Sequence, residues 1–512
     1  MNAIKVTFSI FSKFFNQAVA YIALFFVARL MGPEPLGIVA FGMAYIALFQ
    51  NFADLGFGDA HIKRVSEGRD LGICHGTLFS VKIVLNIVLV IVVLSTILFS
   101  KYVLHHEFIS RIHEHVIYVL LGYFVFGNFS IMIGTTFAAR KEVVKGNVSY
   151  MFGAVGNSAV KIIVAFAGLG AVYLAGANVI NVLIIFLFQL YFLRGYPIKK
   201  PTKEYFKLYA SFAIPIMFIN FISNYSENID KVLIQVFYTA KDVGLYSAGK
   251  QVTYFFSFLT STTSVLLFPT ISAFYAKGDV ESIRKISAKT ERYLSLLLLP
   301  IMSFIFIFSY PITILLLGNK FADLTPKIIT VLTFAVYFEA ITSNYISQIT
   351  GTNHVRLAVK LTTILLSFNI LMHCLFIPQK FLGIHLFGLG AQGASYATLI
   401  SAILSAFVYR FFAFRITRAR TSKSIFLHLF AAVAMALVMY ALTRTVTSVH
   451  WYHLILFGIP GLASYIITLS LIKELTPADI LYFKHNLNPG NILIYAKKEI
   501  REGYNNEKSI ND

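Results

Sequence analysis

The chain has 512 residues, of which 57% are hydrophobic and only 13% charged, and it carries a formal net charge of +20. A soluble chain usually holds about 25% charged residues, so composition excludes an ordinary soluble enzyme. Apolar stretches long enough to cross a hydrocarbon core of roughly 30 Å recur from end to end. That excludes a β-barrel of short alternating segments and gives the fold class: an all-α polytopic membrane protein.

On a soluble chain the basic balance would suggest nucleic acid. Here the Lys and Arg residues fall in loops between apolar runs, the pattern of cytoplasmic loops in membrane proteins.

The chain opens "MNAIKVTFSIFSKFFNQAVAYIALFFVARLMG". Lys5 and Lys13 flank an apolar stretch with no clear small-residue cleavage site, so it reads as a retained first helix. Hydropathy, broken at charges, Gly and Pro, predicts fourteen spans. They cover residues 6–30, 36–57, 77–100, 116–139, 149–174, 177–193, 206–238, 243–274, 293–317, 327–350, 357–377, 388–414, 424–446 and 451–472. Starting inside and alternating places most of the 43 Lys and Arg residues in inner segments. The expected orientation is N-in and C-in, in the cell (cytoplasmic) membrane.

Arg29 ends the first span, Asp54 lies near the inner end of the second, and Lys82 is on the third. The outer segment "KYVLHHEFISRIHEH" (101–115) holds four histidines, but their spacing matches no standard zinc pattern. Cys74 and Cys374 suggest neither a disulfide nor a metal site. No cofactor is expected. Lys161 falls near the middle of span five, about 18 Å from its inner end at 1.5 Å per residue, too deep to snorkel easily.

Span seven contains "INFISNYSENIDKVLIQVF" (219–237). At 100° per residue, Asn220, Ser223, Asn224, Glu227, Asn228, Lys231 and Gln235 share one face, with Asp230 at its edge. A charge at the bilayer centre costs roughly 2.5–3.5 kcal/mol on insertion scales, so such residues face a cavity or a partner. Glu227 and Lys231, four apart, are expected to pair. Lys250 on span eight and Glu339 on span ten add further intramembrane charge. The expected substrate cavity comprises Arg29, Lys82, Lys161, Asn224, Glu227, Asp230, Lys231, Lys250 and Glu339. Asp54, Glu227, Asp230 and Glu339 are the coupling candidates. Lysines converging on a hydrated vestibule favour an anionic substrate.

"PLGIVAFGMAYIALF" (35–49) and "DVGLYSAGKQVTYFF" (242–256) match weakly at an offset of 207, Gly37 meeting Gly244 and Gly42 meeting Gly249. Six spans per half give a parallel repeat. The expected domains are an N-lobe (1–195, helices 1–6), a C-lobe (205–415, helices 7–12), helices 13 and 14 (424–472) and a cytoplasmic tail (473–512).

Five stretches in order carry a resemblance: "ARLMGPEPLGIVAFGMAYIALFQNFADLGFGDAHIKR" (28–64), "IDKVLIQVFYTAKDVGLYSAGKQ" (229–251), "LLLGNKFADLTPKIITVL" (315–332), "ISQITGTNHVRLAVK" (346–360) and "GLGAQGASYATLIS" (388–401). With fourteen spans, the chain resembles the polysaccharide transporter family of the multidrug/oligosaccharidyl-lipid/polysaccharide exporter superfamily, over most of residues 1–415. The resemblance implies a flippase, not an enzyme. It would move a polyprenyl-(pyro)phosphate-linked oligosaccharide, such as an O-antigen precursor, across the membrane by alternating access. It also implies that Asp230 and Lys231 are the family's span-seven acid and base, and that Gln348 and Lys360 carry its span-ten pattern. Membrane lipids, and the glycosyltransferases and polymerase of the same pathway, would be partners.

A cation-coupled multidrug exporter of the same superfamily is the alternative, disfavoured by the lysines. A membrane glycan polymerase or ligase is another. The short outer loops and the lack of an Asp-x-Asp pair or nucleotide-binding glycine loop speak against it.

Overall fold

The computed structural model describes residues 3–103, 109–254, 257–381, 383–446 and 450–475. It is nearly all helical. The first predicted span is α1 (Ala3–Met31). It stops at Gly32, whose φ of +86° suits glycine, and Pro33 opens α2 (Pro33–Phe49). Proline is favoured there because its missing N–H would have no helical partner. A 3-10 turn (Gln50–Ala53) leads to α3 (Phe57–Ser66). This short amphipathic helix lies inside a stretch expected to be loop. Its Phe57, Ala60, His61 and Arg64 are buried.

Next come α4 (Leu71–Tyr102), α5 (Arg111–Ala139), α6 (Val143–Phe166) and α7 (Ala171–Leu193). The Asp70 carboxylate caps α4 by accepting from the Ile73 N–H at 2.9 Å, satisfying one donor the helix leaves free. The α6–α7 turn falls at 167–170, not near 175 as expected. Gly168, at φ +64°, takes the left-handed position, whereas Gly176 continues inside α7. Both glycines break hydropathy alike, but only one sits where the chain reverses.

The second part begins with α8 (Lys203–Phe237), followed by α9 (Ala240–Tyr254) and α10 (Ser257–Ala276). Together α9 and α10 stand for predicted span eight. After them come α11 (Val280–Leu317), α12 (Thr325–Gly351), α13 (Val355–Phe376) and α14 (Gly390–Thr417). A two-stranded antiparallel turn pairs Lys380 with His385 and Phe381 with Ile384 between α13 and α14. The chain continues with α15 (Ser424–Thr443) and α16 (Trp451–Leu471). Of the expected tail, residues 476–512 lie outside the described residues.

Twelve of the described helical segments are long and apolar enough to cross a membrane. Helices α1, α5, α6 and α7 pack together, as do α10, α12, α13 and α14, while α15 and α16 pack on α11.

Between the first two groups α2 runs against α9. A Cβ on Gly37 would lie 1.7 Å from the Ala240 carbonyl oxygen, and one on Gly244 would lie 1.8 Å from that of Pro33. Small residues let helix backbones approach in a membrane, where burial of apolar side chains supplies little drive. One buried cluster crosses this contact, with Phe41 and Ile46 of α2, Leu120 of α5, Tyr246 of α9 and Ile328 of α12.

Candidate functional site

Three hollows border α9. The first is a polar chamber of about 250 Å³ walled by α1, α2, α6, α7 and α9. Lys161 lines it from α6, with Asn157 on the same helix, Asn178 of α7, and Ser247 and Gln251 of α9. Among the described residues no carboxylate or carbonyl oxygen partners the Lys161 ammonium. The buried Asn157 Oδ1 and Ser247 Oγ also lack a hydrogen-bond partner. Buried polar atoms are normally satisfied, so the chamber offers one unmatched cation and unused polar atoms.

The second is a chamber of about 510 Å³ among the C-terminal helices, lined by Glu227, Lys250, Glu339, His373 and several hydroxyl side chains. Asp230 lies behind its wall, 1% exposed. Its Oδ2 accepts from Lys250 Nζ at 2.6 Å and from the Tyr246 hydroxyl at 2.8 Å. Its Oδ1 accepts from the Lys231 backbone N–H at 2.8 Å and from Lys231 Nζ at 3.5 Å. Three carboxylates therefore face two ammonium groups here, an acidic balance opposite to that of the first chamber. The carboxylates of Glu227 and Glu339 hold no hydrogen bond among the described residues. His373 is 1% exposed and its Nδ1 is unpartnered.

The third is an apolar groove of about 1220 Å³ walled by α1, α11, α15 and α16, with Leu297, Pro300, Phe304, Leu462 and Ile466 along it. Leu297, Leu462 and Ile466 are exposed on the outside of the bundle. Tyr21 and Val252 close one edge. The Tyr21 hydroxyl donates to the Gln251 carbonyl at 2.5 Å, and Gln251 lines the first chamber. Groove and Lys161 chamber thus share a wall.

The other expected cavity residues are tied into the scaffold. Arg29 Nη2 donates to the carbonyls of Ile314 (3.1 Å) and Leu315 (2.6 Å), and its guanidinium lies 4.5 Å from the Phe25 ring centre. It binds the end of α1 to the end of α11, where the last carbonyls of a helix lack partners. Lys82 is buried and donates to the Ala53 carbonyl at 3.1 Å and to the Asp54 carboxylate. Asp54 is engaged by that ammonium and by the Gly56 N–H at 3.2 Å. Asn224 donates to the Ala47 carbonyl, joining α8 to α2.

Two expectations change. Lys231 does not pair with the Glu227 carboxylate: its ammonium reaches the Glu227 carbonyl oxygen at 3.1 Å and the Asp230 carboxylate instead. Lys161 and Lys250 do not converge, because they line different chambers. Gln348 is buried and accepts from the Thr417 hydroxyl at 3.1 Å, while Lys360 is exposed.

Sequence reasoning missed Tyr246, Ser247, Gln251, Asn157 and His373. Tyr246, Ser247 and Gln251 fall inside the second repeat stretch, and reading that stretch on a helix face would have found them. His373, beside Cys374 at the end of an apolar run, gave no signal. Of the four histidines in segment 101–115, residues 105 and 106 lie outside the described residues, and His113 Nδ1 bonds the Ser110 hydroxyl at 2.8 Å. Among the described residues no three His, Cys, Asp or Glu side chains are placed to hold a metal ion.

The model of a family described as "polysaccharide biosynthesis protein" matches residues 26–326. No curated protein matches the chain in sequence. Solved structures share its fold. The lipid II flippase MurJ, in an inward closed conformation, is 13% identical with a TM-score of 0.73, covering 92% of this chain and 99% of that one. An inward-facing multidrug resistance MATE family transporter of the MOP superfamily is 16% identical with a TM-score of 0.62, covering 79% and 96%. A MOP superfamily transporter from Pyrococcus furiosus, described as having a binding pocket of reverse polarity, is 15% identical with a TM-score of 0.55, covering 81% and 96%.

Proposed function

The chain belongs to the polysaccharide biosynthesis protein family, and on that footing we propose that this multi-pass membrane transporter flips a polyprenyl-phosphate-linked oligosaccharide. The observation that carries the reading is the wall shared by the Lys161 chamber and the apolar groove. A lipid carrier has an anionic headgroup between a long apolar tail and a string of sugars. Moving that charge through hydrocarbon is the costly step. A cation in the chamber offsets that cost while the tail remains in the groove.

Alternating access follows from this reading. Helices α1–α7 and α8–α14 act as two lobes that part at the α2–α9 contact. Both termini are cytoplasmic. Glu227 and Glu339, facing the acidic chamber, are the coupling groups, binding a cation in one state and releasing it in the other. Asp230, Lys231 and Lys250 keep the C-lobe together by mutual neutralisation and do not touch the carrier.

A fluorescent short-chain polyprenyl-phosphoryl glycan in proteoliposomes tests the reading. Protein-dependent transfer between leaflets is expected, with no transport of a cationic drug. Drug transport without lipid transfer would replace the flippase with a multidrug exporter.

A further inference from the structure

Resting on that reading, the placement of the cations narrows the carrier. Five cations were expected to face the substrate. Arg29 turns to two carbonyls and lines none of the three hollows, Lys82 is paired with Asp54, and Lys231 and Lys250 share Asp230 beside the acidic chamber. Of the five, Lys161 lines the chamber that adjoins the groove. A phosphodiester linking a polyprenol to a sugar carries one negative charge at neutral pH. A diphosphate bridge carries two.

We propose that the Lys161 chamber takes a single phosphate group, so that the carrier is a polyprenyl monophosphate and not a diphosphate. One ammonium neutralises one phosphodiester. The Ser247 hydroxyl, which has no partner among the described residues, can donate to a phosphate oxygen. The second charge of a diphosphate would have no cation among the described residues that line the chamber. Burying an unpaired charge is strongly unfavourable. It could not move toward the C-terminal chamber either, since Glu227 and Glu339 face that space. Size agrees with this. The chamber's 250 Å³ is below the roughly 300–1,000 Å³ of sites that enclose whole small molecules. It therefore holds a headgroup and leaves the sugars to the space outside.

The test is equilibrium binding to the full-length protein in nanodiscs. The probes are a short-chain polyprenyl phosphoryl-glucose, its diphosphoryl homologue, and inorganic phosphate. The proteins are the parent, Lys161→Gln, Lys161→Arg and Ser247→Ala, each checked by its melting temperature. Lys161 has no acidic partner to strand, so Lys161→Gln should fold, and Ser247→Ala supplies an independent variant. The monophosphate is expected to bind at least about tenfold more tightly than the diphosphate. Lys161→Gln should lose about tenfold and Ser247→Ala about threefold, with Lys161→Arg keeping most of the affinity. Equal or tighter binding of the diphosphate, still lost in Lys161→Gln, would overturn the single-phosphate assignment and leave the flippase reading standing. Binding of neither lipid would remove both. Binding that neither variant changes would remove the chamber from the site, and inorganic phosphate binding as tightly as the lipid would make it a site for the free ion.

Discussion

Gly37 and Gly244, the equivalent residues of the two halves in the repeat read from the sequence, touch each other's helices so closely that neither position has room for a methyl group. The obstructing atoms are main-chain carbonyls of Ala240 and Pro33, which cannot swing aside as a side chain would. Overpacking of this kind typically costs about 1–3 kcal/mol. The helices can escape it only by separating.

Gly37→Ala and Gly244→Ala should therefore bias the protein toward the state in which α2 and α9 are apart. A single cysteine at Ser247, read with a water-soluble thiol reagent, reports this. It should react several-fold faster in either glycine variant than in the parent, as expected for an equilibrium shifted by about 1 kcal/mol or more. Unchanged reactivity in a folded protein would mean that this contact does not gate the chamber.

The Asp230 cluster makes a different prediction. Asp230→Asn leaves the ammonium groups of Lys231 and Lys250 without their shared carboxylate. Breaking a buried pair this way costs about 3–5 kcal/mol. Adding Lys250→Gln removes one stranded charge, so the double variant should melt higher than Asp230→Asn alone. Melting of the double variant at the sum of the two single losses would show that the pair is not coupled.

His61 of α3 gives a pH signature. Its Nδ1 lies 2.9 Å from the Tyr209 hydroxyl and its Nε2 2.9 Å from the Thr136 hydroxyl. Burial, helped by the charge of His75, lowers its pKa from 6.5 to about 3. The unfolded chain therefore takes up a proton that the folded chain refuses. The contribution to stability is complete above pH 6.5 and declines as pH falls toward 3, by up to a few kcal/mol in all. A His61→Asn protein should be less stable at pH 7 but lack this part of the slope between pH 6.5 and 3. An unchanged slope would assign the acid sensitivity to other groups.

Orientation can be read with single cysteines in a background lacking Cys74 and Cys374. Cys74 itself is a poor reporter, since it is buried in the first turns of α4. Lys285 and Lys320 are exposed at opposite ends of the bundle. With cytoplasmic termini, Lys320→Cys should react with an impermeant reagent added to intact cells and Lys285→Cys should not. The reverse pattern would invert the topology.

The spans were legible because each must hold about 20 apolar residues whatever its neighbours do. Helix α3 was not, because ten residues with half of them buried give no hydropathy peak. The α6–α7 turn was misplaced because Gly168 and Gly176 are equal in sequence and unequal only in backbone conformation. The charged positions within spans were visible, yet their partners were not. Lys250 reaches Asp230 across the α8–α9 turn, and Arg29 finds carbonyls at the end of α11, nearly three hundred residues away. Local spacing predicted Glu227 with Lys231, but the adjacent Asp230 carboxylate won that ammonium because it already sits among the donors of α9.

The most direct measurement is the initial rate of leaflet transfer of a short-sugar polyprenyl-phosphate carrier by Lys161→Gln protein, beside parent and Lys161→Arg, in proteoliposomes of matched protein content. Loss of the cation that lines the chamber should slow transfer by about tenfold or more, with Lys161→Arg retaining most of the rate. Transfer by folded Lys161→Gln protein at the parent rate would contradict the assignment of this lysine to the headgroup.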